Sequence, residues 1–312
     1  MMTKYDVIII GAGPAGIAAA IFAARGTLSV LVIDDSAPAG GTVKNTHLVA
    51  NYPGFPEPIS GLDLTKRMFK QAKSFGAKFE LAAEITDYNF KDELKWIEID
   101  DDEKFETENI IIATGINPRR LNLPGEQEFK GSGIHYCAIC DGDFYSGKDI
   151  AIIGAEDTAM EESLILLKYV NSITFIHHGF HNLRAEKCTV DQVMAHENVS
   201  MIWNLESQKF ERDGDKLVII AENLDTKEIV KIKRDALFIF VGMKPNSEWL
   251  KNSGLNINER GYIPTDKNCI TNLKNVYAIG DIRVKKFNQI TTAIADGTIA
   301  ALEIIQKRSC SL

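Results

Sequence analysis

The chain spells out one local pattern twice, and that duplication restricts its fold more than any other feature. Tyr5 to Ile10 is a short β-rich run, followed by Gly11-Ala12-Gly13-Pro14-Ala15-Gly16 and an alanine-rich helical stretch to Arg25. A second strand, Leu28 to Ile33, then ends at Asp34. Strand, glycine turn, helix and strand form a βαβ unit suited to an adenine dinucleotide. Its glycines allow the tight turn and let backbone approach a pyrophosphate at the helix N-terminus, while the acid meets a ribose hydroxyl. A lone G-x-G-x-x-G is weak evidence, but here every part agrees. The pattern restarts at Asp149 to Ile153, with Gly154-Ala155-Glu156-Asp157-Thr158-Ala159, a helix through Lys168 and a strand from Ser172 to Ile176.

Near the C-terminus, Val276-Tyr277-Ala278-Ile279-Gly280-Asp281 forms a further strand, and a helical segment runs from Thr291 to Gln306. Neither has a place in the second unit. The simplest architecture is therefore an α/β fold of two Rossmann-like nucleotide-binding domains, the second inserted into the first. Residues 1–116 and 243–312 form the outer domain, and 117–242 the inserted one. With 312 residues the chain is long enough for two cores. The acidic run Glu98 to Glu108 alternates with Ile99 and Phe105 and reads as a solvated hairpin.

Composition excludes several function classes. A net charge of −8 argues against nucleic-acid binding. The apolar run Val7 to Ile10 is broken by glycines long before it could serve as a signal or membrane segment, which points to the cytoplasm. Of five cysteines, Cys137 and Cys140 make a C-x-x-C, the cytosolic redox spacing, and Cys188, Cys269 and Cys310 read as bystanders. Half a zinc site is the competing reading, but no second C-x-x-C or C-x-x-H follows. Disulfide exchange needs a thiolate, and a neighbouring carboxylate raises a thiol's pKa by repulsion. Asp141 thus suits proton transfer rather than thiolate stabilisation.

Over nearly its whole length the chain resembles the low-molecular-weight thioredoxin reductase family. The resemblance rests on Gly11 to Gly16, Asn51-Tyr52-Pro53-Gly54-Phe55, Ala113-Thr114-Gly115, Tyr136 to Gly142 and Ala278-Ile279-Gly280-Asp281. It implies the pyridine nucleotide-disulfide oxidoreductase type of fold, FAD in the first domain, a redox disulfide on the second, thioredoxin as substrate and a homodimer. It implies flavin contacts from Gly11, Gly13, Pro14, Ala15, Gly16, Asp34, Gly40, Gly41, Thr42, Asn51, Ala113, Thr114, Gly115, Gly280, Asp281, Gln289, Ile290 and Thr291. It also sets Cys140 against the flavin, and makes Cys137, Cys140 and Asp141 the catalytic residues. Thr42 departs mildly, since the family usually has Gln after the glycine pair.

Larger departures lie in the second fingerprint. The family binds NADPH there through three small residues and an arginine pair. In this chain Glu156 replaces the middle one, and His177-His178-Gly179 stands in the arginine position, with Arg184-Ala185 further along. A side chain at Glu156 obstructs a pyrophosphate and its charge repels it, so NADPH binding is expected to be weak or absent. Arg184, His178 and His181 binding a 2′-phosphate from a shifted loop is the alternative. The histidines do not read as a metal site, because no carboxylate or cysteine follows at ligand spacing. Loss of the NADPH motifs makes the chain resemble the ferredoxin-dependent flavin thioredoxin reductases, with Lys285-Lys286 and Arg119-Arg120 as candidate landing charges for an acidic ferredoxin. An NADPH-dependent reductase with an atypical loop and a non-catalytic redox sensor are the competing functions.

Overall fold

Near-continuous runs of Ile, Val and Leu become parallel strands covered on both faces, the pattern that buried parallel sheets require. The computed structural model describes residues 2–46, 48–179, 183 and 185–309. The chain divides into two units, Met1–Asn117 with Lys244–Leu312, and Pro118–Met243.

The first unit contains β1 (Thr3–Ile10), α1 (Pro14–Arg25), β2 (Val30–Asp34), α2 (Gly61–Ser74), β3 (Lys78–Leu81), β4 (Ile85–Asn89), β5 (Lys95–Ile99) and β6 (Glu103–Ile112). Strand β7 (Ile116–Pro118) leads out of it. The second unit contains β8 (Ile134–His135), α3 (Ala138–Asp141), β9 (Asp149–Ile153), α4 (Asp157–Leu166), β10 (Ser172–Ile176), α5 (Lys187–Met194) and β11 (Val199–Ile202). It continues with β12 (Leu205–Asp213), β13 (Lys216–Asn223), β14 (Ile229–Arg234) and β15 (Ala236–Ile239). The chain returns through β16 (Met243–Pro245), which pairs with β7, and ends with β17 (Val276–Ala278) and α6 (Ile290–Ser309).

Strand order in the first sheet is β3-β2-β1-β6-β5-β4. Strand β6 is long enough to serve two neighbours on one edge: Glu103 to Thr107 pair antiparallel with β5, and Ile110 to Ile112 pair parallel with β17. The acidic run is thus the β5–β6 hairpin, whose apolar residues Ile97, Ile99 and Phe105 are buried. Alternation sorts the strand residues cleanly: Val7, Ile9, Val30, Val32 and Ile111 join one core, Ile8, Ile10, Leu31, Ile33, Ile110 and Ile112 the other. Each such burial stabilises by about 1.5–3 kcal/mol. Small residues let α1 and α6 pack closely. A Cβ on Gly297 of α6 would lie 2.3 Å from the Ala15 carbonyl oxygen.

The second unit repeats the logic with sheet order β11-β10-β9-β15-β8, beside an antiparallel meander β12-β13-β14. Helix α4 stops at Leu166 rather than Lys168, because the next residues turn and the Tyr169 amide bonds back to the Leu166 carbonyl. Helix α6 is longer than the sequence suggests, Ile290–Ser309. Among the described residues no helix is long and apolar enough to cross a membrane.

Candidate functional site

Parallel pairing aligns the C-terminal ends of four strands in the first unit, with Ile10 opposite Ile33 and Ile112, and Ala278 opposite Ile112. The segments that follow them therefore meet at one edge. Gly11 has φ +110°, and a Cβ there would lie 2.3 Å from the Ala113 carbonyl oxygen. A Cβ on Gly16 would lie 1.9 Å from the Gly11 carbonyl oxygen. Side chains are thus excluded where the turn closes. At Gly13 the surroundings are open, the nearest heavy atom to a Cβ being Gly41 Cα at 3.8 Å. This space lies over the amides of α1, which starts at Pro14 with no side-chain cap. It is an anion-binding end of the helix, and a bulky group fits the cradle.

Gly41 borders that space. Gly40 donates its amide to the Ala12 carbonyl at 2.8 Å, which brings Gly40-Gly41-Thr42 against the turn. Asp34 ends β2, with Oδ2 accepting from the Ala12 amide at 2.5 Å and Oδ1 accepting from the Ser36 amide and hydroxyl. Each carboxylate oxygen has two lone pairs, so an acceptor site remains for a ribose hydroxyl. Asn51 donates to Gln289 Oε1 at 3.4 Å, and Ile290 and Thr291 open α6. Thr114 and Asn246 exchange side-chain bonds with each other's carbonyls, fixing the Ala113-Thr114-Gly115 turn.

Gly280 packs against Ala15, and its amide donates to Asp296 of α6 at 3.1 Å. Beside it, Asp281 Oδ1 is buried without a hydrogen-bond partner, although Lys285 Nζ is 3.0 Å away as an ion pair outside hydrogen-bonding geometry. Burial pushes the Asp281 carboxyl up, with Lys285 opposing. An unsatisfied buried acceptor at the rim of an open cradle fits a ligand bearing hydroxyl donors. Lys285 is not a landing charge. Its side chain is 11% exposed and bridges Asp281 and Asp296, which consumes its charge locally. Lys286, Arg119 and Arg120 are exposed.

The second fingerprint copies the backbone of the first. Gly154 has φ +126°, and a Cβ would lie 2.2 Å from the Phe240 carbonyl oxygen, matching Gly11 and Ala113. Glu156 occupies the position of Gly13, with φ −93° and ψ 178° against −76° and −179°. Its side chain is exposed and makes no cap bond to α4. Next to this loop the His177 ring accepts from the Gly179 amide at 2.8 Å, stacks on His178 at 4.9 Å and meets Trp203 edge-on at 5.5 Å. Arg184 and His181 lie outside the described residues, as does Cys310. Cys188 is exposed, and Cys269 is a buried thiol pushed up to about 12 by that burial.

Cys137 and Cys140 form a disulfide on the short helix α3, with Cys137 at its N-cap accepting from the Cys140 amide at 3.2 Å. Both sulfur-bearing residues are half-buried, so a second reactant can reach them. Glu162 of α4 accepts from the Ala138 amide at 2.9 Å, and burial pushes its carboxyl up. Tyr136 donates to Glu126 at 2.6 Å, and burial together with that bond pushes its phenol up. Asp141 is held by a residue that the sequence reading missed. His135 Nδ1 lies 3.2 Å from Asp141 Oδ2, while His135 Nε2 lies 2.7 Å from the Tyr145 hydroxyl. The only signal in the sequence was an ionisable residue two positions before Cys137.

The family described as pyridine nucleotide-disulphide oxidoreductase matches residues 5–297. A "34.2 kDa protein in rubredoxin operon" of Clostridium pasteurianum is 41% identical over 96% of both chains. The thioredoxin reductase of Bacillus subtilis is 38% identical over 96% of this chain and 93% of its own. The crystal structure of thioredoxin reductase from Streptococcus pyogenes superposes with a TM-score of 0.93 at 33% identity, covering 99% of this chain and all of that one. One chain thus carries two nucleotide-type loops and a cysteine pair, and it belongs to the pyridine nucleotide-disulphide oxidoreductase family, with thioredoxin reductases among its relatives.

Proposed function

We propose that the protein reduces the disulfide of thioredoxin, using FAD in the first unit and the Cys137–Cys140 pair in the second, with reduced ferredoxin as electron donor. Relatives and fold support the disulfide reductase. Glu156 carries the choice of donor, because its side chain starts where the matching Gly13 leaves open space. His177 adds to it, since its ring nitrogen is engaged with Gly179 within its own loop.

FAD fits the residues present. Gly11 to Gly16 and the N-terminus of α1 would hold its pyrophosphate, Asp34 a ribose hydroxyl, and Asp281 would accept from a further hydroxyl. Gly40, Gly41, Thr42, Asn51, Ala113, Thr114, Gly115, Gly280, Gln289, Ile290 and Thr291 complete the contacts. When bound, the flavin supplies a centre that takes electrons singly and gives them in pairs. Ferredoxin near about −400 mV lies below thioredoxin near about −270 mV, a drop of roughly 6 kcal/mol for two electrons. Asp141 manages the proton that disulfide exchange moves. We further assign a cytoplasmic homodimer.

An NADPH-dependent reductase is the second reading. The preserved backbone of the second loop favours it. Anaerobic flavin bleaching decides between them, comparing NADPH, NADH and reduced ferredoxin before thioredoxin is added. Bleaching by ferredoxin alone, followed by thioredoxin reduction, supports the proposal. Rapid bleaching by NADPH overturns it.

A further inference from the structure

We infer that His135 is a positioning residue for disulfide exchange: its buried imidazole joins the Asp141 carboxylate to the Tyr145 hydroxyl in one hydrogen-bonded chain that orients the carboxylate and passes charge changes to it. This rests on the reading of Asp141 as the group that handles the exchange proton.

The chain is built into the second unit. His135 ends β8 and is 5% exposed, and the Asp141 side chain is 14% exposed. The ring packs against Tyr145 at 5.1 Å and Phe238 of β15 at 5.3 Å, so its plane is fixed from two sides. Both ring nitrogens are engaged, Nδ1 with Asp141 and Nε2 with Tyr145. A carboxylate only accepts, so Nδ1 carries the hydrogen. The hydroxyl at the other end can donate or accept. It donates to Nε2 of the neutral ring and accepts from Nε2–H of the cation. The imidazole can therefore change charge in the core without leaving a polar atom unpaired, which a carbonyl or an ammonium in that place would not allow.

Tyr145 is suited to this task because it stays protonated. Burial, with Asp141 adding to it, pushes its phenol up to about 12. The charged groups facing the chain are Asp141 on α3, and Arg212 and Asp235, both of which act on Tyr145. Glu162 on α4 bonds the Ala138 amide at the other side of the same helix.

One thiol of the Cys137/Cys140 pair gives its proton to solvent and attacks, as thiolate, a sulfur of the protein disulfide, whose S–S bond breaks, and the sulfur it releases takes one proton back from solvent. The second cysteine gives its proton to Asp141 and attacks the mixed disulfide. The remaining substrate sulfur leaves and receives that proton. The pair loses two electrons as its own S–S bond forms, and the substrate gains two electrons and two protons. His135 holds the Asp141 carboxylate in place to receive the proton, and a charged ring favours the nearby thiolate.

The test is alkylation of the reduced protein. The rate of iodoacetamide addition to Cys137 and Cys140 is read by peptide mass against pH, which also separates these from Cys188. The native profile should show the thiol inflection plus a second, acid-side shoulder. His135→Asn retains a donor in the place of Nδ1 but cannot titrate, and should lose the shoulder. His135→Phe loses both, and its thioredoxin exchange should fall about tenfold, with His135→Asn recovering most of it; general acid–base catalysis as a whole supplies about 10²–10⁴-fold. A native profile without the shoulder, or a shoulder that survives in His135→Asn, overturns the inference. If His135→Phe does not fold, the asparagine variant still decides. Alkylation needs neither donor nor thioredoxin, so a shoulder without thioredoxin turnover refutes the proposed function and leaves the relay standing.

Discussion

Replacing Glu156 isolates the question of the electron donor. Its Cβ stands on a backbone that matches Gly13 within about 20° in φ, so a dinucleotide phosphate bound as in the first loop would lie next to the carboxylate. At a separation of about 5 Å and an effective dielectric near 20, one carboxylate and one phosphate charge repel by about 3 kcal/mol. That is a loss of more than about a hundredfold in affinity. Glu156→Gly should therefore tighten NADPH binding by at least that factor, and Glu156→Gln should recover the charge part and leave the steric part. Neither change should unfold the unit, because Glu156 is exposed and its φ of −93° is open to any residue.

Titration calorimetry of the oxidised protein with NADPH measures the effect directly. The same experiment at two ionic strengths tests its electrostatic origin. Screening shortens from about 10 Å at 0.1 M salt to about 3 Å at 1 M, so the gap between native protein and Glu156→Gln should shrink as salt rises. The steric gap between Glu156→Gln and Glu156→Gly should not. Equal affinity in all three proteins would refute the reasoning and move the block to the histidines that replace the arginine pair. Micromolar binding by the native protein would show that no block exists.

Other perturbations test other parts. Cys137→Ser and Cys140→Ser should each abolish protein-disulfide reduction while flavin content, read from the visible spectrum, stays at the native level; loss of flavin would mean that the two units are not independent in this respect. Gly297→Ala should lower the thermal midpoint by several degrees, since its Cβ would lie 2.3 Å from the Ala15 carbonyl oxygen, an overpacking worth about 1–3 kcal/mol; an unchanged midpoint would show that α1 and α6 can separate freely. Hydrogen bonds from Ser172 and Asn171 hold the Asp149 carboxyl below its ordinary 3.8. A depressed carboxyl contributes stability above its unfolded value that is lost as pH falls through the folded one. Ser172→Ala should therefore be less stable than the native protein in urea at neutral pH, with the difference closing below 3.8. A difference that persists unchanged in acid would contradict this.

Much of this architecture is legible in the sequence because it is written in short-range rules. Strand β10 runs from Ser172 to Ile176, the bounds the apolar run suggests. Gly11 and Gly154 announce turns that a Cβ could not enter. What escaped reading depends on contacts between distant residues. In the meander β12-β13-β14 only the apolar run Leu217 to Ala221 announces a strand locally; its flanking strands carry many charged residues, and their place depends on pairing with β13. Lys285 looks like a surface cation beside Lys286 until Asp281 and Asp296 close around it. His135 and Tyr145 stand ten positions apart, and only the return of the chain after α3 brings hydroxyl to imidazole.

The two loops also show where a change of function can hide. Gly11 and Gly154 make the same close approach to the end of a neighbouring strand, and the helices behind them begin on the same backbone angles. Fold and backbone are therefore preserved at both sites, and likeness to solved reductases follows from that preservation. Chemistry is decided one atom further out, by what the helix N-terminus meets. At α1 it meets open space, where an anion gains from the amides. At α4 it meets the start of the Glu156 side chain, which is exposed and makes no cap bond to the helix but puts bulk and negative charge where a second anion would sit. A single substitution can thus turn a phosphate site into an obstructed one at almost no conformational cost, leaving the Cys137–Cys140 helix and its Asp141–His135–Tyr145 support unaltered to serve whichever donor reduces the protein.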